Sequence, residues 1–257
     1  MSILINVLGS GSSGNAILIS SEKTTLLIDA GFSAKALQQR IEQLSFKINA
    51  IHALILSHEH QDHSKGWQSC AKFYDIPVFM TLLTQQALQA SSKKKVNLRS
   101  FQVGKPFAIE DFTIQPFPVP HDAAEPLAFL ITYKHHKIAI ATDLGYLPNL
   151  VKKYLSESSI IILESNHDIE MLKNGPYPWQ LKQRIMSRHG HLSNDTVGAF
   201  IKDHINQKCL YLFLAHISKK NNTPELALAT SLANLTDNNT TRIILTYQSD
   251  ISETVAL

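Results

Sequence analysis

Ser57-His58-Glu59-His60-Gln61-Asp62-His63 directly follows the apolar run Ala53 to Leu56. His58, His60, Asp62 and His63 bring imidazoles and a carboxylate together, the groups that hold zinc, iron or manganese. Packing alone does not call for that composition. His58 and His60 are two apart, so in an extended segment they point the same way. Asp62 and His63 follow after a turn and can face a second ion. Further out, Asp29, His121, Asp143, Glu164 and His216 each stand just past another apolar run, as His58 does. Loops at strand ends gather on one edge of a fold, so groups placed there point to one shared pocket.

The spelling His-x-His-x-Asp-His resembles the signature of metallo-β-lactamase-fold hydrolases. Leu26-Leu27-Ile28-Asp29-Ala30-Gly31 is similar to that family's first motif. His121 in Pro118-Val119-Pro120-His121-Asp122 resembles the third, Asp143 in Ala141-Thr142-Asp143-Leu144-Gly145 the fourth, and His216 in Ala215-His216-Ile217-Ser218 the fifth. The likeness runs from about Gly9 to Pro224. Within the fold the chain resembles the YycJ/WalJ-like bacterial group, which is associated with nuclease activity on DNA. The tracts that carry this are Gly9 to Asn15, Glu164 to Asp168, Gly175 to Trp179, Arg188 to Asn194 and Asn221 to Glu225.

The resemblance implies an α+β fold, an αββα sandwich of two packed mixed sheets with helices on the outer faces. It also implies the ligand pairing. His58, His60 and His121 would hold one divalent ion. Asp62, His63 and His216 would hold another, with Asp143 bridging and Asp29 fixing the His-rich loop from behind. Zinc, manganese and iron all suit such donors, so the metal stays open. Two ions about 4 Å apart clamp the attacking and leaving oxygens of a displacement and activate a water. A Glu at position 60 would imply a di-iron redox enzyme, and a Cys at position 143 a lactamase-like site. His60 and Asp143 imply the phosphodiesterase-like and thioesterase-like pattern instead. Glu164 and His191 resemble the proton-handling pair of RNase Z-like members, His191 as general acid and Glu164 as its orienting partner. Asp62, His191 and Glu164 are therefore the candidate catalytic residues.

With 257 residues, 44% hydrophobic and 18% charged, the chain has the composition of a soluble globule able to bury a sizeable core. A net charge of +3 permits a nucleic-acid substrate without arguing for one. Cys70 and Cys209 are too few for a disulfide framework or a Cys-type zinc site, and both are expected reduced and buried. No secretory signal and no membrane-length apolar run is read, so the expected location is the cytoplasm. No Pro/Gly/Ser linker divides the sequence, and one domain over 1–257 is expected.

Short Ile/Leu/Val-rich runs predict strands at Ile3 to Leu8, Ala16 to Ser20, Thr25 to Ile28, Ala53 to Leu56, Ile76 to Met80, Phe112 to Val119, Ala128 to Tyr133, Lys137 to Thr142, Ile160 to Leu163, Leu210 to Leu214 and Ile243 to Tyr247. Helices are expected at Ser33 to Leu44, Ser64 to Tyr74 with Ser64 as N-cap, Leu82 to Ala90, Leu147 to Ser156, Trp179 to Ser187, Asp195 to Ile205 and Pro224 to Leu235. Gly9 to Asn15 reads as a tight hairpin. It lacks the Lys-Ser/Thr of a phosphate loop, and Ser13 or Asn15 touching a substrate phosphate stays open. Tyr177 and Trp179 would stack on a base or cover the pocket. Lys93-Lys94-Lys95 with Arg99 would meet a nucleic-acid backbone or form a solvated loop. His167 and His189 have no assigned role, and His135-His136 is placed in a hairpin turn.

The expected function is a dinuclear phosphodiesterase cleaving nucleic acid, DNA rather than RNA, by metal-activated water. The alternative is a small-molecule hydrolase of the same fold, acting on a cyclic phosphodiester or a thioester. A metal-stabilised binding module is the non-enzymatic rival, disfavoured because binding needs no open dinuclear site.

Overall fold

Continuous apolar runs make strands buried on both faces, the pattern of parallel pairing. In the computed structural model, which describes residues 3–89 and 96–257, those runs build two seven-stranded sheets. The first contains β1 (Leu4–Gly9), β2 (Ala16–Ser20), β3 (Thr25–Ile28), β4 (Ala53–Ile55), β5 (Val78–Met80) and β6 (Leu98–Ser100), with the terminal strand Val255–Ala256 beside β1. The second contains β7 (Phe107–Ile109), β8 (Phe112–Pro118), β9 (Leu127–Tyr133), β10 (His136–Ala141), β11 (Ile160–Glu164), β12 (Tyr211–Ala215) and β13 (Arg242–Leu245), so the terminal strand is β14. Two mixed sheets with helices are what the α+β expectation requires.

The chain divides into two compact units. One comprises Met1–Pro116, Ala123–Leu127 and Gln248–Leu257. Its strands β3, β4 and β5 run parallel, with Ile28 beside Ile55 and Ile55 beside Phe79. That register brings the chain segments after β3 and β4, which begin at Asp29 and Leu56, to the same edge. Around this sheet lie α1 (Ala34–Gln43), α2 (Gln61–Ser64), α3 (Trp67–Phe73) and α4 (Leu82–Ala87). Ser33 caps α1 by accepting from Ala36 N, and the helix buries Leu37 and Ile41 in a core with Leu27, Leu54 and Cys70.

The other unit comprises Phe117–Asp122 and Ala128–Tyr247. After the β9–β10 hairpin, β10, β11, β12 and β13 are all parallel. Glu164 pairs with Ala215 across β11 and β12, so Glu164 stands next to His216. The helices here are α5 (Asn149–Ser156), α6 (Ile169–Asn174), α7 (Trp179–Ile185), α8 (Asn194–His204) and α9 (Pro224–Ala233). Ser193 caps α8, which buries Val197, Phe200 and Ile201 against Ile161, Leu163, Leu212 and Leu214. Truncating one of those leucines to alanine would cost about 2–5 kcal/mol.

The observed elements correct several boundaries. Ser64 to Tyr74 is not one helix: α2 and α3 are separated at Lys65 and Gly66. Ser64 does not cap α3, because its hydroxyl donates to Glu59 O at 2.8 Å. A Cβ at Gly66 would meet Phe32 O at 2.2 Å, so the break follows close backbone approach. The fifth helix starts at Asn149, since Pro148 stands at its N-cap. The short elements β6, β7, β14 and α6 went unread. The Gly9–Asn15 hairpin joins β1 and β2 as expected, and His135 lies in the turn before β10. Lys93, Lys94 and Lys95 lie outside the described residues. Cys70 and Cys209 are buried, unpaired thiols. Among the described residues no helix is long and apolar enough to cross a membrane.

Candidate metal and catalytic site

In the first unit the His-rich segment is braced from β3. Asp29 follows β3 directly, with φ 61, a left-handed backbone that Asp tolerates better than most residues. Its Oδ1 accepts from Ser57 N at 2.8 Å, and Oδ2 accepts from Ser57 Oγ at 2.8 Å. Oδ2 also lies 2.7 Å from His63 Nδ1. A carboxylate only accepts, so His63 Nδ1 carries the ring proton and Nε2 keeps its lone pair. Ser57 Oγ gives its hydrogen to Asp29, so it accepts from His58 Nδ1 at 3.0 Å. The rings of His58 and His60 meet edge-on at 4.7 Å, and those of His58 and His63 lie 4.3 Å apart. Asp62 Oδ2 is 3.6 Å from His63 Nε2. Gly31 lets this loop close: a Cβ there would sit 1.7 Å from Asp62 O.

The second unit gathers His121, Asp143, Glu164, His191 and His216 at the ends of β8, β10, β11 and β12 and in the loop before α8. Asp143 and His216 also take left-handed backbone, φ 58 and φ 53. Glu164, wholly buried, accepts from His191 Nδ1 at 2.7 Å and His216 Nδ1 at 2.8 Å with one oxygen. Its other oxygen accepts from Leu144 N and Leu192 N, each at 3.2 Å. Burial would raise the Glu164 pKa, but His191 and His216 outweigh it and hold the carboxyl at about 2. Burial likewise lowers the pKa of His191, and the Glu164 carboxylate more than reverses this, leaving it raised. Asp143 Oδ1 lies 3.5 Å from His216 Nδ1, 3.7 Å from His191 Nδ1 and 3.9 Å from His121 Nε2. His121 donates from Nδ1 to Gly190 O at 3.2 Å, and burial lowers its pKa.

One pattern tests whether these residues suit a metal. His58, His63, His121 and His216 each anchor Nδ1, on a hydroxyl, a carboxylate, a carbonyl and a carboxylate respectively. Each is thereby set to offer Nε2. Anchoring of one nitrogen by an outer acceptor is how metal-ligating histidines are oriented. Asp62 and Asp143 add hard oxygen donors, and the set fits a divalent ion. Asp143, Glu164, His191 and His216 also place four donor atoms within 4.8 Å of one another. The hydrogen bonds to Glu164 account for the closeness of His191 and His216, and Asp143 joins them through its 3.5 Å approach to His216.

Other candidates fall differently. Asn15 is buried with Nδ2 2.9 Å from His63 Nε2, whereas Ser13 Oγ donates to Gln248 Oε1 at 2.6 Å. Trp179 stands exposed at the start of α7. Arg99 is exposed, over the Phe79 ring. His167 is buried, and burial lowers its pKa to about 4. Ser57 was not singled out in the sequence, although it adjoins the motif and could have been read as its brace. Asn166, which donates to His216 O at 2.9 Å, and Asn222, which donates to the Ser165 and Asn166 carbonyls, were also missed. Both lie inside tracts that resemble the YycJ/WalJ-like group.

Comparison with known proteins gives the family and the fold. The model of the Beta-lactamase superfamily domain matches residues 24–213. Exodeoxyribonuclease YycJ of Bacillus anthracis is 36% identical over 233 residues, covering 88% of this chain and 87% of that protein. Exodeoxyribonuclease WalJ of Streptococcus pneumoniae is 32% identical over 238 residues, covering 90% and 87%. Among solved structures, the metallo-beta-lactamase fold protein YhfI from Bacillus subtilis matches with a TM-score of 0.77 at 17% identity. That match covers 100% of this chain and 99% of YhfI, and at this identity it speaks for the fold alone.

Proposed function

The chain belongs to the beta-lactamase superfamily as a metal-dependent hydrolase, and from that premise we propose that it is a dinuclear phosphodiesterase degrading DNA from an end. The observation that carries the reading is the set of histidines anchored through Nδ1 beside Asp62 and Asp143. The exodeoxyribonuclease names of the YycJ and WalJ relatives supply the substrate class. One ion is assigned to His58, His60 and His121, the other to Asp62, His63 and His216, with Asp143 shared. Zinc, manganese or iron would serve. Bound there, such ions would activate a water and neutralise charge on the phosphate.

The protein's own groups do the rest. Asp29, through Ser57 and His63, keeps the His-rich loop in a single arrangement. Glu164 holds His191 by Nδ1 and raises its pKa, so His191 carries more proton at neutral pH than a free imidazole. That suits a general acid for the departing oxygen. Ser13 and Trp179 remain proposed substrate-side positions, whereas the buried Asn15 faces Asp62 and His63 instead. The two units are read as one domain because a single family match runs through both. A cytoplasmic setting suits the reduced Cys70 and Cys209.

The test is degradation of end-labelled single- and double-stranded DNA and RNA with Mn²⁺ or Zn²⁺, beside Asp62→Ala. The expected result is metal-dependent release of label from DNA, reduced by roughly two orders of magnitude or more in a variant that keeps its far-ultraviolet circular dichroism. Hydrolysis of bis-p-nitrophenyl phosphate with every nucleic acid left intact would replace the nuclease reading by a small phosphodiester.

A further inference from the structure

Asn15 closes the turn between β1 and β2 and is only 4% exposed. Its Oδ1 accepts from Ser10 Oγ at 2.9 Å and Gly11 N at 2.8 Å. Those two donors fix which way the amide faces, since a flip would set N–H against N–H. Its Nδ2 therefore faces acceptors: Gly11 O at 3.1 Å, Asp62 O and Asp62 Oδ2 each at 3.3 Å, and His63 Nε2 at 2.9 Å. The backbone locks this arrangement. Asn15 N donates to Asp62 O at 2.7 Å, and Gly31 N donates to Asn15 O at 2.9 Å. His63 Nδ1 gives its proton to Asp29, so the Nε2 facing Asn15 accepts through its lone pair. That lone pair and the Asp62 carboxylate are the donors assigned to one metal ion.

We infer that Asn15 is a placeholder for that ion, its amide N–H occupying the donor atoms of Asp62 and His63 in the metal-free protein. The inference rests on the proposed role of those two residues as ligands. The amide hydrogens bring partial positive charge to where a cation would bind. They keep imidazole and carboxylate aimed while no cation is there. Metal binding then exchanges the Asn15–His63 hydrogen bond for coordination. The amide retains Gly11 O and Asp62 O as acceptors, so what it gives up is the short contact to His63 Nε2 and the longer one to Asp62 Oδ2. An interaction made only in the metal-free state opposes binding, and deleting it tightens binding by the same factor.

The experiment titrates chelator-treated protein with Mn²⁺, reading free ion by electron paramagnetic resonance, for wild type, Asn15→Ala and Asn15→Asp. Asn15→Ala should bind Mn²⁺ about fivefold tighter, the equivalent of one net hydrogen bond. It should melt below wild type in chelator, with a narrower gap at saturating Mn²⁺. Asn15→Asp keeps the acceptor that closes the turn and adds an oxygen beside Asp62 and His63. It should bind tighter still, and it carries the test if Asn15→Ala fails to fold. Weaker or unchanged Mn²⁺ affinity in the folded variants would overturn the inference while leaving the metal centre intact. A wild-type protein that binds no Mn²⁺ would remove both.

Discussion

Glu164 is a buried carboxylate serving two histidines at once, and it takes two further backbone N–H groups to do so. This explains how a charge survives burial: four donors replace the water it lost. Glutamine at this position has one acceptor oxygen where glutamate has two, and it lacks the charge that raises His191. Glu164→Gln should lower turnover by about 10- to 100-fold, the usual cost of removing an outer partner of a metal ligand. In metal-free protein, nuclear magnetic resonance should show the His191 imidazole titrating at lower pH in the variant than in wild type. The sign follows from the cause: the carboxylate favours the protonated ring, so its loss favours the neutral one. An unmoved His191 titration would remove Glu164 as its orienting partner. Single residues also show where sequence reading reaches. Asp29, Asp143 and His216 were legible because each follows an apolar run. Their left-handed backbones were not legible, since an apolar run says nothing of the φ of the residue that follows it.

At the scale of elements, the His-rich loop is a packing problem solved by Gly31. Ala30 and Gly31 run against α2: Ala30 N donates to His63 O at 2.7 Å, and Gly66 N donates to Ala30 O at 2.7 Å. No side chain fits between them, since a Cβ on Gly31 would lie 1.7 Å from Asp62 O. Gly31→Ala must therefore push α2 away from β3, at a cost of about 1–3 kcal/mol. Urea unfolding measures that cost, and Mn²⁺ titration should show weakened binding because Asp62 and His63 move with α2. A variant as stable as wild type would mean the loop adjusts without strain. The same closeness explains what the sequence left unread. Long periodic runs announced α1, α8 and α9 to within two residues, because their signals are local; their caps, Ser33, Ser193 and Thr223, each accept a backbone bond and were not read in advance. The α2–α3 break was not local. It arises where Gly66 meets Phe32 and Ala30, residues more than thirty positions away. The strands β6, β7 and β14 are two or three residues long and exist through their partners.

For the molecule as a whole, the chain's path argues that the two compact units unfold together. It passes from one unit to the other after Pro116, Asp122, Leu127 and Tyr247, and the last segment returns to pair β14 with β1. Domains that fold independently are joined by a single exposed linker, not by repeated exchange of segments. Each unit also carries its own reporter. Cys70 lies in the core of the first and Cys209 in the core of the second, and burial raises both thiol pKa values to about 12. At pH 8 neither thiol forms thiolate while folded, so neither should react with a disulfide reagent; unfolded, each returns towards the ordinary cysteine range and reacts. With Cys70→Ala and Cys209→Ala variants, each keeping one thiol, the urea dependence of labelling reads the units separately. A chelator keeps metal binding from coupling them, so coincidence reports on the polypeptide alone. Each alanine removes only a sulfur, and its cost in midpoint is corrected by following tryptophan fluorescence on the same samples. The expected outcome is that both thiols become reactive at the fluorescence midpoint, as a single cooperative transition requires. If one thiol labelled well below that midpoint, the chain would be two independently folding parts and the single-domain reading would fall.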